Sequence, residues 1–267
     1  MCQLLGMNSY KPVSLQFALR GFMRRGGDTD HHADGWGIAH FEDGQCRLTV
    51  DVAPAAFSPL AAAVTYRDIK VRNALVHVRR ATQGSVAYEN CHPFVRELWG
   101  QTWAFAHNGD LFDLPQIPAM HYRVVGQTDS ERALCMLLEG LRERFGEQPP
   151  SLASLRAELQ RLSARIAAHG AFNYLLSNGE LLFAHGSTDL FQLCREAPFG
   201  AARLVDCDLR VDFARLNHLD DRITIVATKP LTADEDWRRI PPGELRLFIA
   251  GREVSDSAHE RQFAFAC

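Results

Sequence analysis

Residues 172–184 read FNYLLSNGELLFA, two short apolar runs separated by Asn178-Gly179. The runs Phe172 to Ser177 and Glu180 to Ala184 carry the aromatic and aliphatic side chains that strands favour, and Asn-Gly is a strong signal for a two-residue hairpin turn. This stretch therefore predicts an antiparallel β-hairpin, and an antiparallel sheet becomes the starting point for the fold.

Other segments have the composition of strands or the spacing of helices. Five more strands are predicted: Cys46 to Val52, Ala74 to Arg79, Thr102 to His107, Ile223 to Thr228 and Leu245 to Ile249. Three segments place apolar residues at helical spacing: Val13 to Arg25, Ser130 to Phe145 and Leu152 to Ala168. Strands joined mostly by tight turns, with helices grouped between them, predict an α+β fold in which helix layers pack on antiparallel sheets.

The second predicted helix also has a recognisable start. Thr128 stands where an N-cap residue is expected, and Glu131 three residues later would complete a capping box. The chain contains no internal repeat, low-complexity run or long linker, so residues 2–267 are predicted to form a single domain.

The overall composition excludes several classes of partner. The chain has 267 residues, 46% hydrophobic and 23% charged, with a formal net charge of −3. Such a balance gives no electrostatic reason to expect nucleic acid or an acidic membrane as partner, and no segment approaches the roughly 20 apolar residues of a membrane span. The seven cysteines are irregularly spaced, without a C-x-x-C pair, so we expect neither a disulfide framework nor a zinc site. Reduced cysteines of this kind predict a cytoplasmic location.

Cys2 directly follows the initiator methionine. If Met1 is removed, Cys2 holds a thiol and a free α-amine on adjacent atoms, and an α-amine with a pKa of about 7.7–8.0 suits a general base and acid. An amine that activates the nucleophile of its own residue is a known arrangement. The alternative for Cys2 alone is a small buried hydrophobic residue in a first strand.

Motifs further along favour the catalytic interpretation. In order, they are Met1-Cys2, Asp34-Gly35-Trp36-Gly37, His77-Val78-Arg79-Arg80-Ala81-Thr82-Gln83-Gly84, Asn90-Cys91-His92-Pro93-Phe94, His107-Asn108-Gly109-Asp110-Leu111 and Asp129-Ser130-Glu131. Together they resemble the class II glutamine amidotransferases, which are N-terminal nucleophile hydrolases, and in particular the stand-alone bacterial members. The motifs cover about the first half of the chain. The resemblance implies a four-layer αββα sandwich of antiparallel sheets and no metal or organic cofactor.

The resemblance also implies a role for individual residues. Cys2 is the expected nucleophile, while the Asn108 side chain and the Gly109 backbone N–H supply the two donors that an oxyanion needs. Arg79 is expected to grip the α-carboxylate of glutamine, because a guanidinium binds a carboxylate bidentately. Asp129 is expected to hold the α-ammonium, and Thr82 to contact the substrate as well.

Three functional hypotheses follow. In the first, glutamine is hydrolysed to glutamate and ammonia, and a partner synthase can receive the ammonia. In the second, the same machinery hydrolyses γ-glutamyl amides or peptides, since Arg79 and Asp129 recognise only the glutamyl head. In the third, the chain is a catalytically silent binding module. His92 and His107 have no expected catalytic role if the Cys2 amine is the base.

Overall fold

The computed structural model describes residues 2–115 and 121–254. Within them, strands β1 to β15 are, in chain order, Gln3–Ser14, Trp36–Glu42, Gln45–Asp51, Lys70–Val78, Phe94–Leu98, Gln101–Asn108, Asn173–Ser177, Leu181–His185, Phe191–Glu196, Ala201–Arg203, Arg210–Asp212, Arg222–Ala227, Arg238–Arg239, Leu245–Ile249 and Arg252–Glu253. Helices α1 to α4 are Gln16–Phe22, Pro59–Tyr66, Asp129–Phe145 and Leu152–Ala167. Short 3₁₀ turns follow α1 at Met23–Arg25 and precede β5 at Tyr88–Asn90.

The strands form two large antiparallel sheets. One has seven strands in the order β13-β9-β12-β1-β4-β2-β3, and the other has six in the order β15-β14-β8-β7-β6-β5. β10 and β11 pair separately as a small ribbon. β1 lies in the middle of the first sheet, where its residues pair with β4 on one side and with β12 on the other.

Three apolar cores divide the molecule into four layers. Buried side chains of α3 and α4, such as Leu138 and Leu159, pack on one face of the six-stranded sheet. Leu19 and Phe22 of α1 pack with Ala61 of α2 on the outer face of the seven-stranded sheet. A third core joins the inner faces of the two sheets. This is the four-layer αββα sandwich of antiparallel sheets expected from the resemblance.

The hairpin at Asn178-Gly179 is confirmed, but its turn is longer than predicted. Ser177 pairs with Leu182, so four residues lie between the paired positions rather than two. The Asn178 side chain accepts hydrogen bonds from Glu180 N–H (3.2 Å) and Leu181 N–H (2.8 Å), and Gly179 has a positive φ of 95°. The side-chain bonds of Asn178 stabilise the longer turn.

The predicted N-cap of α3 is confirmed, whereas the capping box is not formed. Thr128 Oγ1 accepts a hydrogen bond from Glu131 N–H at 3.2 Å. The Glu131 carboxylate does not return to the cap residue. It accepts from Val125 N–H (3.0 Å) and Gly126 N–H (2.7 Å) and pairs with Arg96. Glu131 therefore anchors the loop before the helix instead of the first helical turn.

The first predicted helix begins later than its apolar spacing indicated. Val13 and Ser14 belong to β1, where they pair with Val71 and Lys70 of β4 after a register shift, and α1 starts at Gln16. The helix α2 was not predicted, nor were the strands β1, β2, β5 and β9 and the short strands β10, β11, β13 and β15. β2 is buried along almost its whole length, so it lacks the alternation of polar and apolar residues that marks a half-buried strand. Across the described ranges, no helix combines the length and apolar character that a membrane crossing requires.

Candidate active site

The first residues of the chain meet the end of β4 at one edge of the sandwich. Gln3 of β1 is paired with Val78 of β4, so Cys2 lies beside the segment that follows β4. The Cys2 sulfur accepts a hydrogen bond from Arg80 N–H and donates one to the Arg80 carbonyl, both at 3.3 Å. The pairing of two central strands therefore determines the position of the thiol.

The segment after β6, from the opposite sheet, reaches the same edge. Thr82 Oγ1 donates a hydrogen bond to Asp110, and Gln83 Nε2 donates to the Leu111 carbonyl at 3.1 Å. Asp110 is also close enough to Cys2 for its negative charge to raise the pKa of the thiol. Three stretches that are far apart in the sequence thus meet around the sulfur.

The thiol of Cys2 is not activated by its surroundings as they stand. Burial raises the pKa of Cys2 to about 11, although the Arg80 N–H and the positive charge of Arg79 act in the opposite direction. At neutral pH the group is therefore a thiol. Since the thiolate is the attacking species, a nearby base must take this proton before Cys2 can act as a nucleophile.

Asn108 presents a donor that the rest of the described structure does not use. Its side chain is 1% exposed, and Asn173 Nδ2 donates to Asn108 Oδ1 at 3.4 Å. This contact turns the amide so that Asn108 Nδ2 has no hydrogen-bond partner among the described residues. A buried polar group without a partner is costly and uncommon in a folded protein, so its retention needs an explanation.

Gly109 occupies a position where no other residue fits. Its φ is 151°, and a Cβ atom on it would lie 1.8 Å from the carbonyl oxygen of Ala171. The glycine therefore allows the chain after β6 to pass directly against the segment before β7.

His107 is engaged on both ring nitrogens. Nε2 lies 3.0 Å from the Ala171 carbonyl, which can only accept, so Nε2 carries the proton and Nδ1 accepts from the Ser130 hydroxyl at 2.8 Å. Burial lowers the pKa of His107, which keeps the ring neutral. His92 is buried too, and its Nδ1 accepts from the His107 N–H at 3.3 Å. Both histidine rings therefore hold neighbouring groups in place through hydrogen bonds.

Arg79 does not extend into open solvent. The residue is 3% exposed, and its guanidinium donates to the carbonyls of Gln83 (3.0 Å), Gly84 (3.3 Å) and Ser85 (3.1 Å). We use the name Arg79 loop for residues 82–85, which carry Thr82 and these three carbonyls. In this structure the guanidinium holds the loop against the end of β4.

Asp129 lies at the first position of α3 and faces the segment after β6. Its Oδ2 accepts a hydrogen bond from Leu111 N–H at 2.8 Å, and Oδ1 lies 3.3 Å from the Ser130 hydroxyl. The carboxylate therefore ties the start of α3 to the segment that carries Asn108 and Gly109.

Asp34 closes the same edge from the loop before β2. Its Oδ2 accepts from Ala81 N–H at 2.8 Å, and its own N–H donates to the Arg79 carbonyl at 3.0 Å. A Cβ atom on Gly37 would lie 2.3 Å from the His92 carbonyl, which explains the second glycine of the Asp34–Gly37 motif. This motif supports the backbone on both sides of Arg79.

Asn173 is a functional candidate that no motif pointed to. It is fully buried; its Oδ1 accepts from Ser187 N–H (2.8 Å) and Thr188 N–H (2.9 Å), and its Nδ2 contacts Asn108. The register of β6 with β7, in which Asn108 pairs with Asn173, creates this contact. Only the strand pairing could have identified it.

The sequence matches a known protein family and several relatives. The family of class-II glutamine amidotransferases matches residues 1–265. The chain is 42% identical over 254 residues to YafJ of Escherichia coli strain K12, covering 95% of this chain and 100% of the relative. It is 43% identical over 256 residues to a relative from Haemophilus influenzae, covering 96% of this chain and 87% of that one.

Solved structures show the same fold. The crystal structure of a predicted glutamine amidotransferase from Pseudomonas aeruginosa superposes with a TM-score of 0.75 at 39% identity, covering 96% of this chain and 100% of that chain. Glutamine phosphoribosylpyrophosphate amidotransferase from Bacillus subtilis superposes with a TM-score of 0.61 at 15% identity, over 96% of this chain and 49% of that chain. The second likeness concerns the fold alone.

Proposed function

This chain belongs to the class II glutamine amidotransferases, of the stand-alone bacterial type, and from that premise we propose that it hydrolyses the side-chain amide of glutamine to glutamate and ammonia through Cys2. The observation that carries the proposal is the unpartnered Asn108 Nδ2 donor, buried beside Gly109 at the edge where the Cys2 thiol lies. Such a donor is what a developing oxyanion requires.

In the proposed reaction, removal of Met1 exposes the α-amine of Cys2, which takes the thiol proton. The thiolate attacks the side-chain carbonyl carbon of glutamine, and the resulting oxyanion accepts hydrogen bonds from Asn108 Nδ2 and the Gly109 N–H. The ammonium of Cys2 returns its proton to the leaving nitrogen, which departs as ammonia and leaves a thioester. Water then adds to the thioester, releasing glutamate and the thiol. Met1 lies outside the described residues.

The surroundings of Cys2 support the amine as the base. His107 has both ring nitrogens occupied, and its pKa is lowered by burial. An α-amine with a pKa of about 7.7–8.0 is part-deprotonated near neutral pH and is attached to the same residue as the thiol. A thiol whose pKa is raised to about 11 needs such a partner.

We assign recognition of the glutamyl head to Arg79, Asp129 and Thr82. The Arg79 guanidinium would bind the α-carboxylate, which must then replace some of the loop carbonyls that Arg79 now contacts. A carboxylate is the stronger acceptor for a guanidinium. Among the described residues, Asp129 Oδ1 has only a long contact with Ser130, so it can accept from the α-ammonium. Thr82 would contribute its hydroxyl group, which is hydrogen-bonded to Asp110 near the thiol.

The proposal extends to the setting of the reaction. The family match over residues 1–265 supports one amidotransferase domain. We propose that the chain acts in the cytoplasm and that ammonia passes to a partner synthase. The larger amidotransferase from Bacillus subtilis, of which this chain covers 49%, shares the fold.

The test is a substrate screen on protein whose Met1 removal has been verified by intact mass. Glutamate release is measured from glutamine and from γ-glutamyl amides with larger amine groups, with Cys2→Ala as the control. We expect release from glutamine that depends on Cys2. Turnover of the larger amides alone would replace glutamine by a γ-glutamyl substrate, and no turnover of either would refute the proposed activity.

A further inference from the structure

Asn90 is a buried side chain that touches two separate loops. It ends the 3₁₀ turn Tyr88–Asn90 and is 0% exposed. Its Nδ2 donates to the Ser85 carbonyl at 3.0 Å, and its Oδ1 accepts from the Gln127 N–H at 2.8 Å. One amide group therefore joins the Arg79 loop to residues 125–127, which precede α3.

Two glycines make room for this amide. A Cβ atom on Gly84 would lie 3.0 Å from Asn90 Nδ2, and one on Gly126 would lie 2.4 Å from Asn90 Oδ1. Asn90 is thus enclosed between the two loops, with no free space on either side. Close packing of this kind transmits a displacement of one loop to the other.

Each loop is separately held by a charged side chain: one by Arg79, and the other by Glu131, which lies two residues after Asp129. Arg79 binds the carbonyls of its loop, and Glu131 binds the N–H groups of Val125 and Gly126 two residues before the Thr128 cap. Ser85 N–H adds a direct contact to Gln127 Oε1 at 3.3 Å. The Asn90 amide is therefore a buried link between the Arg79 loop and the segment that leads into α3, which begins at Asp129.

We propose that Asn90 is a positioning residue that sets the separation between Arg79 and Asp129, and with it the distance between the α-carboxylate and α-ammonium subsites. The inference rests on the proposed function, in which those two residues bind the glutamyl head. Asn90 itself touches neither the thiol nor the proposed oxyanion donors, so its loss should weaken substrate binding much more than turnover of bound substrate.

The chain offers a closely matched control for this role. Asn8 is also buried, its Nδ2 donates to the Glu180 carbonyl at 3.0 Å, and its Oδ1 accepts from Gly251 N–H at 2.7 Å. It joins two loops away from the candidate active site. Asn90→Asp and Asn8→Asp each keep the acceptor and replace the donor by an oxygen facing a carbonyl, so the two variants impose the same chemical change at different places.

The experiment compares glutamine kinetics and alkylation of Cys2 by iodoacetamide, which has no glutamyl head, in processed protein. For Asn90→Asp we expect KM to rise about tenfold or more, as for a buried hydrogen bond left unsatisfied. The kcat and the alkylation rate should stay near the wild-type values, and Asn8→Asp should keep the wild-type KM. An unchanged KM in Asn90→Asp, or an equal rise in both variants, would overturn the proposal.

A second variant and a second readout cover the remaining outcomes. If Asn90→Asp does not fold, Gly126→Ala, which drives a methyl group into Asn90, must raise KM in its place, and an unchanged KM overturns the inference. If the wild type releases no glutamate, the proposed function fails. Hydrogen-exchange rates of the two loops then test whether Asn90 couples them. Faster exchange in residues 82–85 and 125–127 together, in Asn90→Asp but not in Asn8→Asp, supports the coupling, while unchanged exchange refutes it.

Discussion

Asn173 determines which way the amide of Asn108 points. Its Nδ2 lies 3.4 Å from Asn108 Oδ1 and 3.2 Å from the Asn108 carbonyl, so the acceptor side of the Asn108 amide is occupied and the donor side is left free. The orientation follows from a pairing of two adjacent strands that bring residues 65 positions apart into contact. A donor held in this way loses little freedom when a charge develops in front of it.

Asn108→Ala tests the proposed oxyanion donor. We expect kcat for glutamine to fall by roughly 10²–10³-fold, because one preorganised donor to the oxyanion is lost. Asn73→Ala is the control, since Asn73 is likewise buried in a strand and its side chain has no partner among the described residues. Steady-state kinetics with melting curves would check this, and a folded Asn108→Ala variant with unchanged kcat would remove Asn108 from the reaction.

Arg79→Lys tests recognition of the α-carboxylate. Lysine retains the charge but loses the planar fork, so we expect KM to rise by about tenfold or more, as when a hydrogen bond to a charged group is lost. Arg72→Lys, at an exposed position of β4, the strand that ends just before Arg79, provides the matched control. Equal KM values in the two variants would show that Arg79 only supports its loop.

Retention of Met1 should abolish turnover without preventing folding. While Met1 is attached, the nitrogen of Cys2 is an amide without useful basicity, and the thiol with its pKa raised to about 11 remains protonated at neutral pH. Processed and Met1-bearing preparations, distinguished by intact mass, would be compared in glutamate release. In the Met1-bearing form, alkylation of Cys2 should accelerate as the pH rises toward 11. Equal turnover by both forms would mean that another base, such as His107, has to be sought.

Acid should destabilise the fold through its buried histidines. Burial lowers the pKa of His77, His92 and His107 in the folded state, so the unfolded chain binds more protons once the pH falls below the ordinary value of 6.5. The contribution of these histidines to the free energy of unfolding should therefore be complete above that pH and decrease below it. Urea denaturation at about pH 7.5 and about pH 5 would measure the loss. The His77→Gln variant should lose less stability between these two pH values than the wild type, whereas His31→Gln, at an exposed position, should lose as much as the wild type.

Local patterns determined the elements whose stability depends on neighbours in the sequence. The Asn178-Gly179 turn, the apolar spacing of α3 and its Thr128 cap each involve groups within a few residues, so their signals survive without tertiary information. The order of motifs behind Cys2 likewise identified the family and the αββα fold. Elements that lack a local signal were missed, such as the almost fully buried β2.

Tertiary structure decided which partner each polar side chain has. Glu131 was expected to close a capping box and instead holds Val125 and Gly126, because the preceding loop folds back over the start of α3. Asn90 stood in a motif to which no role was assigned, and Asn173 stood in none, yet they join segments 37 and 65 residues apart. A buried amide takes whichever partners the packing of strands and loops brings to it, and that packing is a property of the whole chain.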